Sequence, residues 1–258
     1  MQFQLQHSTH LPIQNINAMP NYRFTSRRIL RNISLIALIA VAFAYSASRL
    51  AFSSAARDRP AVIAAGKAIE PAIDIAASTV QGEQTAIFAG GCFWGVEAVF
   101  EHLKGVSDVV SGFSGGNAAT ANYDTVSSGQ TEHAEAVKIT YDPAQISYGQ
   151  LLKVYFLVAH DPTQLNRQGP DIGTQYRSAI FVNTAEQKRV VQAYIAQLDK
   201  TKIFRAPIVT QLVPTSDFYA AEEYHQNFID RNPSYPYVVI HDLPKLDQLK
   251  QQFPDLHK

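Results

Sequence analysis

Apolar and polar positions change their spacing several times along this chain, and each change marks an element. Residues 85–89 form a short apolar run ending in Gly90-Gly91, which reads as a buried strand. Residues 93–104 repeat their apolar positions at helical spacing, and Gly105 is placed to end that helix. A strand over 106–113 precedes the glycine-containing loop 114–117. Residues 134–141 alternate with Val137 and Ile139 on one side, as a half-buried strand does, until Asp142-Pro143 stops it. Ser147 opens a predicted helix to about residue 159, with Leu151, Leu152, Tyr155 and Val158 on one stripe.

Later come a strand over 178–182, a helix over 184–199 with Thr184 as its cap and Gln187 at the capping-box position, and a strand over 208–213. A helix over 220–230 is expected to end at Asn232-Pro233, and the tail beyond Tyr235 reads as coil with apolar anchors. Strands and helices alternate, and antiparallel pairing of neighbours is as easy as a parallel sheet. The expected class is α+β: a two-layer αβ plait with a ferredoxin-like core, a mixed sheet, helices packed on it and a long coil C-terminus.

The first 57 residues differ from everything after them. They contain no Asp or Glu, and Arg23, Arg27, Arg28 and Arg31 precede an apolar run over 33–47. That order matches a signal sequence or membrane anchor; about fifteen apolar residues fall short of the roughly twenty a bilayer span needs. Export or anchoring is the expectation, on the periplasmic side of the inner membrane in a bacterium. The rival reading is an organelle transit peptide, because such leaders are also Arg-rich and acid-free. Residues 58–84, Ala-rich with Pro60 and Pro71, read as a tether, and the domain proper is expected over 85–258.

Composition narrows the function. A chain of 258 residues with 46% hydrophobic content has the material for a real core. Twenty-two basic residues balance twenty-two acidic ones, so no net field draws it to nucleic acid. The single cysteine excludes an internal disulfide and a multi-cysteine metal centre, and no metal site or cofactor is expected. A lone cysteine usually packs as a small hydrophobe. Cys92 has a different setting: it lies in Gly90-Gly91-Cys92-Phe93-Trp94-Gly95-Val96-Glu97, where a strand ends and a helix begins. Free backbone N–H groups and the helix dipole favour a thiolate there, which predicts a lowered thiol pKa and a nucleophile.

That segment closely resembles the signature of the A-type peptide methionine sulfoxide reductases. The likeness continues in Gly112-Phe113-Ser114-Gly115-Gly116, His133-Ala134-Glu135-Ala136-Val137, Tyr141-Asp142-Pro143, His160-Asp161-Pro162-Thr163 and the stretch 167–178. The resemblance implies that Cys92 attacks the sulfur of a methionine sulfoxide, of the S form, while Glu135 protonates the departing oxygen, helped by hydrogen bonds from Tyr123 and Tyr176. It makes Phe93 and Trp94 walls of an apolar pocket for the substrate's methyl group, and gives Asp171 the task of orienting the tyrosines or a water. Gln175, Arg177 and His160 are expected to hold the surrounding loops. Glu135 shares the parity of Val137 and Ile139, so it is expected to face inward, where burial can keep a carboxyl protonated.

Many relatives resolve the oxidised nucleophile with further C-terminal cysteines, and here residues 236–258 contain none. The expected reductant is therefore external, thioredoxin or another dithiol or small thiol, acting on the sulfenic acid of a monomeric protein. Three other readings compete. A thiol peroxidase would use the same cysteine but leaves the Phe93-Trp94 wall unexplained. A cysteine hydrolase needs a histidine base that none of the eight histidines announces. A binder of oxidised methionine would have no use for Glu135 and the tyrosines, and would keep its function in Cys92→Ser.

Overall fold

The structure is a computed structural model that describes residues 69–77, 81–214 and 217–258. The predicted leader and the first part of the predicted tether lie outside the described residues. The strands are β1 (Gln84–Gly90), β2 (Val106–Ser114), β3 (Ala134–Tyr141), β4 (Arg167–Gln168), β5 (Asp171–Ile172), β6 (Ser178–Val182), β7 (Gln211–Pro214) and β8 (Phe218–Ala220). Six of them form one sheet in the order β7-β6-β1-β3-β2-β8; β4 and β5 pair separately. Within the large sheet only β6 and β7 are parallel. The fold is α+β with a mixed sheet, as the alternation of elements predicts.

Side-chain parity sorts the sheet into two faces. Ala86 and Phe88 of β1, Val137 and Ile139 of β3 and Ile180 of β6 enter the main core. Ile87, Ala89, Ala134, Ala136, Ala179 and Phe181 form a smaller cluster on the other side. The main core is covered by α1 (Phe93–Glu101), α3 (Tyr148–Val154), the π-helical turn Tyr155–Ala159 and α4 (Ala185–Thr201). Helix α1 buries Phe93, Val96, Val99 and Phe100, each contributing about 1.5–3 kcal/mol. Ser147 and Gln150 make a reciprocal capping box at the start of α3. Between β2 and β3 lies the short helix α2 (Tyr123–Ser127), capped by Asn122, whose side chain accepts from the Thr125 N–H at 3.0 Å.

Part of the predicted tether is docked on the domain. The Ile69 carbonyl accepts from the Tyr194 hydroxyl at 3.1 Å, Glu70 pairs with Lys153, and the Asp74 carboxylate accepts from the Gly149 N–H at 2.8 Å and from the Ser147 hydroxyl. Asp74 therefore finishes the cap of α3 from 75 residues away in sequence. Asp74→Ala should lower stability by about 1–2 kcal/mol, read as a shift of the urea midpoint at unchanged slope.

Two expectations fail in the last third of the chain. The helix predicted over 220–230 is instead β8, a single 3₁₀ turn Glu223–His225 and the short α5 (Phe228–Arg231). Asn227 takes a left-handed φ of 51°, which a helix interior does not tolerate, and its N–H goes to the Glu97 carboxylate at 3.0 Å. The Gln226 side chain bonds both the N–H and the carbonyl of Ser111, at 2.9 Å each, where the β2–β8 pairing ends. The predicted coil tail contains the π-helical turn Val238–Asp242 and α6 (Leu243–Gln252). Pro244 belongs to the first turn of α6, where its missing N–H costs nothing. The strand expected over 208–213 is shifted to β7. Among the described residues no helix is long and apolar enough to cross a membrane.

Candidate active site

Cys92 occupies the N-cap position of α1, directly after β1, and is 8% exposed. Three ties hold this junction. The Tyr155 hydroxyl, brought inward by the π-helical turn, donates to the Ala89 carbonyl at 2.7 Å. His160 packs so closely on Gly90 that a Cβ there would come within 2.9 Å of its ring. Gly91 has φ +93°, and a Cβ would lie 2.5 Å from both Cβ and Cγ of Gln168. Gln168 cannot yield easily, because its amide bonds both the N–H and the carbonyl of Asp161. Gly91→Ala is expected to cost about 1–3 kcal/mol of stability and to depress activity further by moving the sulfur. Thermal melts beside assays of the folded fraction would separate the two effects.

Glu135 is 2% exposed and stands opposite Phe113 in the β2–β3 register. Its Oε2 accepts from the Phe93 N–H at 3.1 Å, which ties the carboxyl to the residue after the nucleophile. Burial pushes the Glu135 pKa up to about 8, against the Phe93 N–H, which favours the anion; Asp171 adds a smaller upward push. At neutral pH the carboxyl therefore carries a proton.

The expectation of a lowered thiol pKa does not hold for the protein without substrate. Burial first, then the charges of Glu135 and Asp242, push the Cys92 thiol well above its ordinary value. The Trp94 backbone N–H and Lys245 pull the other way and lose. The helix tip acts in the predicted direction, but desolvation of the sulfur is larger.

Tyr123, Tyr176 and Asp171 come to the same place from three separate elements. Tyr123 opens α2, its N–H donates to Glu222 at 3.0 Å, and its ring lies 4.3 Å from that of His225. Burial and Glu135 raise its pKa to about 12, with Cys92 and Asp171 among the neighbours. Tyr176 is raised further by burial, Glu135, Tyr123, Asp171 and Cys92, so both phenols remain hydrogen-bond donors throughout the neutral range. Gln175 and Arg177 flank it as loop ties. The Gln175 amide donates to the Ser127 carbonyl at 3.2 Å, and the Arg177 guanidinium donates to the carbonyls of Glu132, His133 and Thr174. His160, held neutral by burial with its pKa lowered to about 4, bonds Ser178 and the Tyr155 carbonyl. Asp171 accepts from the hydroxyl of Tyr237, not from either tyrosine assigned to it by resemblance.

The two aromatic residues after the nucleophile separate. Phe93 is 1% exposed and packs on Phe113 and His225, inside the core. Trp94 is half-buried and stacks on Phe228 at 3.7 Å and 7°, with Tyr235 and Tyr237 meeting it edge-on. Its indole N–H donates to His225 Nδ1 at 3.0 Å, which leaves the His225 proton on Nε2. His225, Phe228, Tyr237, Asp242 and Lys245 were not found by reading motifs. Their signal was present: four aromatic residues over 224–237 and a Leu243, Leu246, Leu249 spacing that repeats every three residues.

These features gather a nearly buried thiol, a carboxyl whose pKa is raised, two phenols and an indole around the start of α1. The family model described as peptide methionine sulfoxide reductase matches residues 84–257. The chain belongs to that family. Its relatives include peptide methionine sulfoxide reductase MsrA 2 of Mesorhizobium japonicum, 61% identical over 176 residues, which cover 68% of this chain and 90% of the relative. MsrA 2 of Synechocystis sp. is 57% identical over 188 residues, covering 72% and 88%. Among solved structures, reduced Mxr1 of Saccharomyces cerevisiae is 33% identical with a TM-score of 0.54, covering 59% of this chain and 87% of that one. Methionine sulfoxide reductase A of Corynebacterium diphtheriae is 34% identical with a TM-score of 0.52, covering 61% and 80%. The matched range of this reductase takes in Cys92, Glu135, Tyr123, Tyr176 and Asp171, and also the C-terminal residues Tyr237, Asp242 and Lys245.

Proposed function

We propose that this reductase returns methionine S-sulfoxide, in proteins and as the free amino acid, to methionine by attack of Cys92 Sγ on the sulfoxide sulfur. The sulfur–oxygen bond of the substrate breaks and the oxygen ends on Cys92. One thiol and one sulfoxide become one sulfenic acid and one thioether, with the substrate reduced by two electrons and the cysteine sulfur oxidised by two. The oxygen must gain a proton as it is transferred, and the observation that carries the reading is a buried Glu135 carboxyl, its pKa raised by that burial, tied to the Phe93 N–H beside the nucleophile. Tyr123 and Tyr176 hydrogen-bond the oxygen, Asp171 orients this group through Tyr237, and the Trp94 face receives the methyl group. Phe93 backs that wall through His225, which both rings meet.

The chain contains a single cysteine, so electrons for the next cycle come from outside. Two thiols of a thioredoxin-like protein or a small dithiol reduce the sulfenic acid, releasing water and a disulfide, and no cofactor takes part. The order β6-β1-β3-β2, with α1 and α3 as crossovers on one face, supports reading the central strands as a ferredoxin-like plait. The basic, acid-free stretch before residue 58 supports export or membrane anchoring as the setting. Assay of the separated S and R epimers with dithiothreitol tests the reaction. Consumption of the S form alone is expected; reduction of the R form, or of neither, would overturn the proposal.

A further inference from the structure

The C-terminal segment brings a charge pair against the nucleophile's helix. Asp242 is fully buried, Lys245 is mostly covered, and their Nζ–Oδ1 distance is 3.1 Å. Both lie against Gly95, three residues after Cys92 and so on the same side of the first helical turn. A Cβ on Gly95 would overlap Asp242 Oδ1 and come within 2.6 Å of Lys245 Nζ. The pair fills space that only a glycine leaves open. The second oxygen of Asp242 is buried with no hydrogen-bond partner, so Lys245 is its one direct counter-charge among the described residues.

We propose that Lys245 is a positioning residue for the reductase reaction, holding a positive charge beside the first turn of α1 so that negative charge can gather on Cys92 sulfur as it attacks. The proposal rests on the reading of Cys92 as nucleophile. Elsewhere around the sulfur stand the Glu135 carboxyl and the phenols of Tyr123, Tyr176 and Tyr237, none of which is cationic. His241 precedes Asp242 in the same turn, Asp171 and His160 act on the Asp242–Lys245 pair from other elements, and burial keeps His160 neutral. Lys245 is therefore the side-chain cation that acts on the thiol, opposed by Asp242, and by Glu135 once that carboxyl ionises, and helped by the Trp94 N–H. The tail thus sets the charge at a nucleophile 150 residues before it, although it contributes no thiol.

The test is the pH profile of Cys92 alkylation by iodoacetamide, which reads the thiolate whether or not the sulfoxide is reduced. Each variant is measured also with Glu135→Gln, so that the carboxyl's own titration is not taken for the thiol's. Lys245→Met should move the profile to higher pH and slow alkylation at neutral pH by about tenfold or more; Lys245→Arg should restore most of it. Asp242→Asn should move the profile to lower pH. If removing the lysine leaves Asp242 buried alone and the chain fails to fold, Asp242→Asn carries the test, since its lysine still reaches water. Profiles that coincide with the parent, or a shift to higher pH in Asp242→Asn, would overturn the proposal. Loss of sulfoxide reduction in the parent chain would instead count against the reductase mechanism, leaving the alkylation result readable.

Discussion

Cys92→Ser is expected to reduce turnover of methionine sulfoxide to the uncatalysed background while the chain stays folded. A serine hydroxyl is a far weaker nucleophile at neutral pH than a thiol, and it cannot take up the oxygen as a stable acid. The position is nearly closed to solvent, so a hydroxyl there forfeits some of its hydration, at a cost of about 1–3 kcal/mol. Helix α1 does not depend on the sulfur as its cap, since a serine hydroxyl at the same position can also accept from the first-turn N–H groups. Far-ultraviolet circular dichroism and the thermal midpoint report the fold, and the rate of methionine formation with dithiothreitol reports the chemistry. A serine variant with measurable turnover would move the nucleophile elsewhere, and the chain contains no other cysteine to receive the role.

Glu135→Gln should lower the rate by about 10²–10⁴-fold, the usual worth of a positioned general acid. The amide oxygen can still accept from the Phe93 N–H, so the geometry of the β1–α1 junction is kept while the transferable proton is lost. The sign of the pH dependence follows from the direction of the shift. With its pKa raised from 4.5 to about 8, Glu135 is the acid form at neutral pH, and acid assistance falls as pH rises through about 8. The glutamine variant should lose that alkaline limb. Stability shows the same linkage: between 4.5 and about 8 the folded chain holds a proton that the unfolded chain has released, so stability falls with rising pH across that window. Glu97, also raised to about 8 by burial and by Glu101, contributes in the same direction. Glu135→Gln should therefore flatten part of this slope and be no less stable than the parent at neutral pH. Urea midpoints from acid to mild alkali measure it; a steeper slope in the variant would mean that the carboxyl is ionised in the fold.

Much of this site could be read from residues alone, and the reasons differ from position to position. Glu135 was legible because strand parity is strict: sharing a face with Val137 and Ile139 put it in the main core. Cys92 was legible because two glycines before a helical repeat specify a strand-to-helix corner. Its proton affinity was not, because the helix tip is a local feature whereas desolvation depends on everything that packs over the sulfur. Asp242 and Lys245, whose charges also act on the sulfur, belong to the tail that a linear scan reads as coil. Pro236 and Pro244 look like breakers in a linear scan, yet Pro244 sits in the first turn of α6, and Val238 buries against Ala98 and Ile229. The segment 220–230 misled for the opposite reason. Its helical residues are overruled by Gln226 and Asn227, whose partners Ser111 and Glu97 lie more than a hundred residues away. Asp171 was identified as an orienting group, but its partner Tyr237 belongs to the same unread tail.

On this mechanism the oxygen leaves the substrate for Cys92 sulfur. Incubating the protein with excess methionine S-sulfoxide and no thiol should yield one methionine per chain and then stop. Mass spectrometry of the same sample should find one added oxygen, located on the peptide that contains Cys92. Continued methionine formation without thiol, or an added oxygen on any other peptide, would contradict it.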